Sequence, residues 1–236
     1  MFQGLFNNLT DTEKNDAIAD IIQHASPRKD FFLMMILSVG MASFGIILNS
    51  VVVLIGSMLI APLLYPILSL GLGIITYDRK LMNRSIITLG KSTLFSLITA
   101  FVVGFLFAPR NTILSFSLFD SVVTNTPSLV YAIIAAIAGF AATFAITKSY
   151  LNNALPGVAI SVALVPPLAT TGIGFALWDW ALISGALSLF IVNIIGILFS
   201  AMIVFSLMRF AFKKHVTQEA VKEEDKVIKK ESAPVK

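Results

Sequence analysis

The stretch Ser57-Met-Leu-Ile-Ala-Pro-Leu-Leu-Tyr-Pro66 places two prolines and a tyrosine inside an otherwise unbroken apolar run. Proline has no backbone N–H, and its ring collides with the carbonyl four residues earlier, so Pro62 breaks a helix here and frees the carbonyl of Met58. A related string, Ser161-Val-Ala-Leu-Val-Pro-Pro-Leu168, recurs 104 residues later (57 to 161). There Pro166 and Pro167 free the carbonyls of Val162 and Ala163. Each string is followed by Gly-x-Gly, at Gly71–Gly73 and at Gly172–Gly174.

The surrounding composition sets the medium. The 236 residues are 57% hydrophobic and 13% charged, with a mean hydropathy of +0.89. A soluble domain carries about 25% charged residues, so this chain reads as an integral membrane protein. It contains no cysteine, which removes disulfides and thiolate metal sites. The polar first 30 residues lack the pattern of a cleavable signal.

Six segments have the roughly 20 apolar residues that a helix needs to cross a bilayer. They are 31–48, 51–77, 86–108, 129–147, 157–177 and 181–208. If all six cross, one side of the membrane receives Arg28, Lys29, Arg79, Lys80, Arg84, Lys148, Arg209, Lys213 and Lys214, and the other receives Arg110. The positive-inside rule then predicts a multi-pass protein of the inner or plasma membrane with both termini in the cytoplasm. Trp178-Asp-Trp180 falls at the opposite interface, where tryptophans anchor. The expected organisation is an N-terminal interfacial helix over 1–28, a membrane domain over 29–210 and a charged flexible tail over 211–236. Thr10-Asp-Thr-Glu13 predicts a capping box for the first helix. Leu9, Ile18, Ile21 and Ile22 would form its membrane-facing stripe.

The two proline strings occupy the second helix of each group of three, residues 31–108 and 129–208. Three crossings is an odd number, so the groups enter the bilayer from opposite sides. The expected fold is therefore all-α, with six transmembrane helices in a 3+3 inverted-topology repeat and helices two and five broken at proline. Many secondary transporters share that layout. Carbonyls freed in hydrocarbon must meet protein, water or a ligand. The helix that starts after each break offers N–H groups suited to an anion.

These considerations predict a solute site at the midplane built from Ser57, Ala61, Pro62, Tyr65, Pro66, Ser161, Val165, Pro166, Pro167, Thr170, Thr171 and Asn193. A coupling cation, Na+ or H+, could sit on the carbonyls of Met58, Val162 and Ala163. Asn193 could equally bond between helices. Tyr65 could equally serve packing. Lys91 reads as a snorkelling residue, and Asn49 and Ser50 read as caps of a tight turn. No segment holds an Asp, Glu or His, so no intramembrane carboxylate relay or transition-metal cluster is expected. No nucleotide-binding loop, nucleophile–His–acid set or nucleic-acid surface is legible. The chain is expected not to be an enzyme and to need no organic cofactor.

The strings at Leu48–Ile74 and Leu155–Gly174 resemble the domain-of-unknown-function family 389, a group of uncharacterised bacterial and archaeal membrane proteins. The resemblance spans roughly residues 30–210 and implies a six-helix core without assigning an activity. In the family's polar string before helix four, a basic residue often stands near the Thr-x-Pro. Here Thr124-Asn-Thr-Pro127 occupies that place, and Asn125 is not basic. The leading expectation is a secondary, non-ATP transporter of a small polar solute, anionic or zwitterionic, such as an amino acid or organic acid. It would be a homo-oligomer, a dimer or trimer, in the lipid bilayer. The alternatives are an ion or solute channel, and a membrane sensor or scaffold that moves nothing.

Overall fold

A computed structural model describes residues 9–108, 129–148, 151 and 164–232. The chain forms α1 (Asp11–His24), α2 (Lys29–Ile47), α3 (Val51–Ile60), α4 (Leu64–Ile75), α5 (Arg79–Phe107), α6 (Leu129–Thr147), α7 (Val165–Leu177), α8 (Trp180–Leu207), a 3-10 turn (Phe210–Lys213) and α9 (Lys214–Ser232). No strand occurs among the described residues. Helices α2, α5, α6 and α8 are long and apolar enough to cross a membrane. Helices α3 and α4 add a fifth crossing if taken as one span bent by 45°. The chain is thus a multi-pass membrane protein. Of the sixth expected segment, 157–177, the described part is the 13-residue α7. Its first half lies outside the described residues, so four to five spans stand where the sequence predicts six.

The bend between α3 and α4 falls on the quoted string. Helix α3 ends at Ile60, and Ala61 turns out to an extended conformation at ψ 122°. Pro62 follows, and α4 resumes at Leu64.

Three tight corners share one construction. Gly45, Gly73 and Gly174 are each followed four residues on by a left-handed residue: Asn49 (φ 51°), Tyr77 (φ 54°) and Trp178 (φ 58°). The next N–H returns to the glycine carbonyl, from Ser50 at 2.8 Å, Asp78 at 2.9 Å and Asp179 at 3.0 Å. This closes the helix end in a Schellman arrangement. Each glycine lies against the residue nine positions on, Leu54, Met82 and Ile183, where an added Cβ would come within 3.1, 3.0 and 2.9 Å. Asp78 and Asp179 then cap the following helices. The Asp78 carboxylate accepts from the N–H groups of Lys80 and Leu81, and that of Asp179 accepts from Leu182. The last two corners repeat at a spacing of 101 residues (73 to 174, 77 to 178, 78 to 179). Asn49 and Ser50 lie in the first corner, as expected of a tight turn.

Helix α5 is the central reference. Ser85 Oγ donates to Ser69 Oγ at 2.9 Å, and Gly73 lies on Met82, so α4 and α5 are antiparallel. Helix α7 instead runs with α5, because Gly172 lies on Leu97 and Ala100 while Gly104 lies on Ile173 and Ala176. The proline-bearing helices α4 and α7 therefore point in opposite directions, and their corners stand at opposite ends of α5. The face of α5 that permits this is a row of small residues, Thr88, Ser92, Ser96, Ala100 and Gly104, all buried. Small side chains at every fourth position let helix backbones approach closely in a membrane.

Two expectations are corrected at the charged end of the bundle. Ile18, Ile21 and Ile22 of α1 are almost fully buried within the protein, where α1 packs on α4, α6 and α9. The stripe meets protein rather than lipid. The segment expected to be a flexible tail is the helix α9, held by ion pairs to Arg28 in the α1–α2 linker and to Lys80 and Arg84 of α5. Its Lys/Glu mixture looked like a solvated run because the partners, Arg28 and Arg84, are far away in sequence.

Gly172 gives the packing test. An added Cβ would stand 2.4 Å from the Ala100 Cβ and 3.0 Å from the Leu97 carbonyl oxygen. Overpacking of this kind costs about 1–3 kcal/mol, so Gly172→Ala is expected to lower the thermal midpoint in detergent. Gly90, on the same face-to-face pair of helices' outer length, has nothing within 4 Å of such a Cβ. Gly90→Ala is expected to leave the midpoint unchanged or to raise it.

Candidate functional site

Both proline strings come to the middle of α5. The Phe32 ring lies 5.3 Å from that of Phe95, two residues beyond Thr93, the centre of Arg79–Phe107. Pro62 shares a cleft of about 210 Å³ with Phe31 and Met34 and so sits near that depth. Gly172 meets Leu97, and Pro166 and Pro167 stand five and six residues before it, about 8 Å lower on the helix rise. That brings the start of α7 level with Ser92 and Thr93. Helix α7 packs mainly on α5, α8 and α2, and only lightly on α3. The two proline strings therefore share a depth without a direct stack.

The expected site residues divide accordingly. Ser57 is fully buried, and its hydroxyl donates to the Leu54 carbonyl at 2.6 Å. Ser38 Oγ on α2 donates to the Ser57 carbonyl at 2.7 Å, giving one of the last four carbonyls of α3 a partner beyond its own helix. Ala61, Pro62 and Tyr65 are half-buried and Pro66 is buried. Val165, Pro166 and Pro167 form the buried first turn of α7, where proline is tolerated because those N–H groups have no helical partner. Thr170 and Thr171 are buried and donate to the carbonyls of Pro166 and Pro167 at 2.9 and 2.8 Å. Asn193 is buried on α8. Ser161 and the carbonyls of Val162 and Ala163 lie outside the described residues, as does Thr124–Pro127.

One expectation about chemistry changes. The sequence places the Ser57, Thr170 and Thr171 hydroxyls in the expected solute site. Their hydrogens are committed to backbone carbonyls, which leaves oxygen lone pairs as what they can offer. The hydroxyl left open is one that sequence reading missed. Ser96 is fully buried in the small-residue row of α5, and its Oγ has no hydrogen-bond partner among the described residues. A buried polar group without a partner is uncommon and asks for a water, ion or ligand. Its signal in the sequence was the spacing of Thr88, Ser92, Ser96, Ala100 and Gly104.

The sequence also missed what approaches Pro62 from the charged end. The cleft beside Pro62 carries Ser26, Arg28 and Asp30 as well as its apolar wall. The His24 ring stacks on Tyr65 with centroids 4.7 Å apart. Tyr65 thus contacts the N-terminal helix. A second cleft of about 360 Å³ between α1 and α6 carries Glu13, Asp16 and Asp20. Lys91 is exposed on the outer face of α5, two residues from its centre. Among the described residues, no group of three or more His, Cys, Asp or Glu side chains is placed to hold a metal ion.

His24 Nδ1 lies 3.0 Å from the Asp20 carboxylate. That hydrogen bond, more than the opposing burial, raises the imidazole pKa above its ordinary value of 6.5. A raised folded-state pKa contributes stability that is fully present below pH 6.5 and is lost as pH rises through the folded value. The thermal midpoint of the native protein should therefore exceed that of His24→Gln at pH 5.5, with the gap closing by pH 8.5. A gap independent of pH would show that the imidazolium does not hold α1 in place.

Comparisons with known proteins identify the family of the chain. The family model described as "Domain of unknown function (DUF389)" matches residues 58–199, which include α4, α5, α6, α7 and most of α8. An uncharacterised protein of Methanocaldococcus jannaschii is 35% identical over 182 residues, covering 77% of this chain and 55% of that relative. The chain thus spans about half the length of the relative it matches. No solved structure matches it. The chain belongs to the DUF389 family.

Proposed function

We propose that this protein is a secondary transporter of a small polar solute, working by alternating access across a 3+3 inverted-topology repeat. One observation carries the reading. The corner Gly73–Asp78 after the first proline helix and the corner Gly174–Asp179 after the second are built alike and stand at opposite ends of α5. Two like units of opposite direction can exchange inward-open and outward-open shapes at similar energy, which is how inverted repeats support alternating access. In this reading α1 and α9 mark the cytoplasmic side.

The solute would bind at the shared depth of Pro62 and Pro166. The Ser96 hydroxyl supplies a polar group near there, while Pro166 and Pro167 leave the first turn of α7 with few N–H donors. Freed carbonyls of the two strings suit an ammonium group or a coupling cation, and helix N-termini suit a carboxylate. That pairing favours an amino acid or organic acid. A homo-oligomer would give so small a core a rigid frame.

Two measurements test this. In proteoliposomes loaded with an amino-acid and organic-acid panel, the native protein should show saturable uptake and counterflow, and Pro62→Ala should lose flux more than it loses expression. Single-channel currents would instead make it a channel, and no flux with a tail-dependent cellular phenotype would make it a scaffold. Ser96→Ala separates site from packing. Removing an unpartnered buried hydroxyl should leave stability unchanged or raise it by about 1 kcal/mol, while solute flux falls. A variant that keeps full flux would remove Ser96 from the site.

A further inference from the structure

The cleft beside Pro62 is walled by Arg28, and Arg28 is already occupied by a carboxylate from the far end of the chain. Glu224 Oε1, on α9, accepts from Arg28 Nε at 2.8 Å and lies 2.6 Å from its Nη2. Glu224 is itself buried. Glu231, two turns further along α9, lies 3.7 Å from the same guanidinium. Next to this pair, Arg84 at the start of α5 bonds Asp225 at 3.3 Å and hydrogen-bonds Ser26 Oγ. Lys80 pairs with the other oxygen of Asp225, and Lys213 ties the start of α9 to Asp11 at 2.7 Å. Ser26, also in the cleft wall, is buried and donates to the Ile22 carbonyl at 2.7 Å.

We propose that α9 is an autoinhibitory latch, in which Glu224 occupies the Arg28 guanidinium at the wall of the cleft beside the Pro62 break and Asp225 holds Arg84 on the cleft-wall Ser26. Three features point this way. The contacts concentrate on Arg28, which lines the cleft, and on Arg84, which hydrogen-bonds the cleft-wall Ser26. The helix is also seated by the buried Val221, so the charge pairs can yield to a competing charge while α9 stays attached. The occupant of Arg28 is a carboxylate, so an incoming carboxylate-bearing solute would compete with Glu224 for the same guanidinium. Arginine recognises that group by fixed N–H geometry. The regulatory meaning rests on the transporter reading, but the latch itself does not.

The chain has no native cysteine, so a single reporter thiol can be placed in the cleft. Ser26→Cys is close to isosteric, and its side chain is covered while the latch is shut. The full-length protein in nanodiscs would be treated with a water-soluble maleimide at about 0.05 M and 0.5 M salt, which shortens the Debye length about threefold. The expected result is slow labelling in the reporter protein, faster at high salt. Adding E224Q with D225N should accelerate labelling on the order of tenfold and abolish the salt effect. The charge-matched pair E219Q with E223Q, on the exposed face of α9, should leave the rate unchanged. Equal rates in all three proteins, with no salt dependence, would overturn the latch. If E224Q with D225N does not fold, the salt response of the reporter protein alone decides. Faster labelling without any solute flux in proteoliposomes would uphold the latch and count against transport.

Discussion

Helix α7 lies on α5 with bare backbone at the contact. Gly172 touches Leu97 and Ala100, Gly104 touches Ile173 and Ala176, and a Cβ at Gly172 would overlap its neighbour. This approach fixes how deep a helix of only 13 residues sits. It therefore sets the level of Pro166 and Pro167 against the middle of α5. The same α5 face, smaller toward α7 and hydroxylated toward α4, also receives Ser69 from the other side. Two proline-bearing helices of opposite direction are thus registered on one reference helix. Lipid offers helix pairs no hydrophobic driving force, so close packing of small residues is what holds such a register.

Proline at both strings follows from different local demands. In the first, Pro62 stands between two helices, and the chain bends by 45° to accommodate it. Ser38 then gives the end of α3 a partner through the Ser57 carbonyl. In the second, Pro166 and Pro167 lie in the first turn of α7, where the missing N–H groups cost nothing. Similar strings therefore produce a bend in one half and a helix start in the other. The strings stand 104 residues apart and the corners 101.

Much of this was legible from the sequence. Apolar length marked the described spans and the capping box marked α1, whereas Gly-x-Gly was legible only as part of the repeat and not as a corner. What was not legible shares a physical cause. The α9 helix, the Arg28–Glu224 pair and the His24–Tyr65 stack each join residues distant in sequence, and their charges read locally as solvated. The Ser96 hydroxyl was overlooked because serine in a membrane helix ordinarily bonds its own backbone, as Ser57, Thr88 and Ser92 do here. The fold's charged end thus carries interactions that the apolar pattern cannot announce. They surround a cleft that reaches the Pro62 break.

The central claim is that two like units run in opposite directions through the membrane, and the residues just past the corner glycines report it directly. Tyr77 and Trp178 are each 80% exposed and occupy equivalent left-handed positions. In the naturally cysteine-free chain, Tyr77→Cys and Trp178→Cys can be labelled in intact cells and in inverted vesicles with a membrane-impermeant thiol reagent. The account predicts that Trp178→Cys reacts only in intact cells and Tyr77→Cys only in inverted vesicles. Reaction of both from the same side would contradict it.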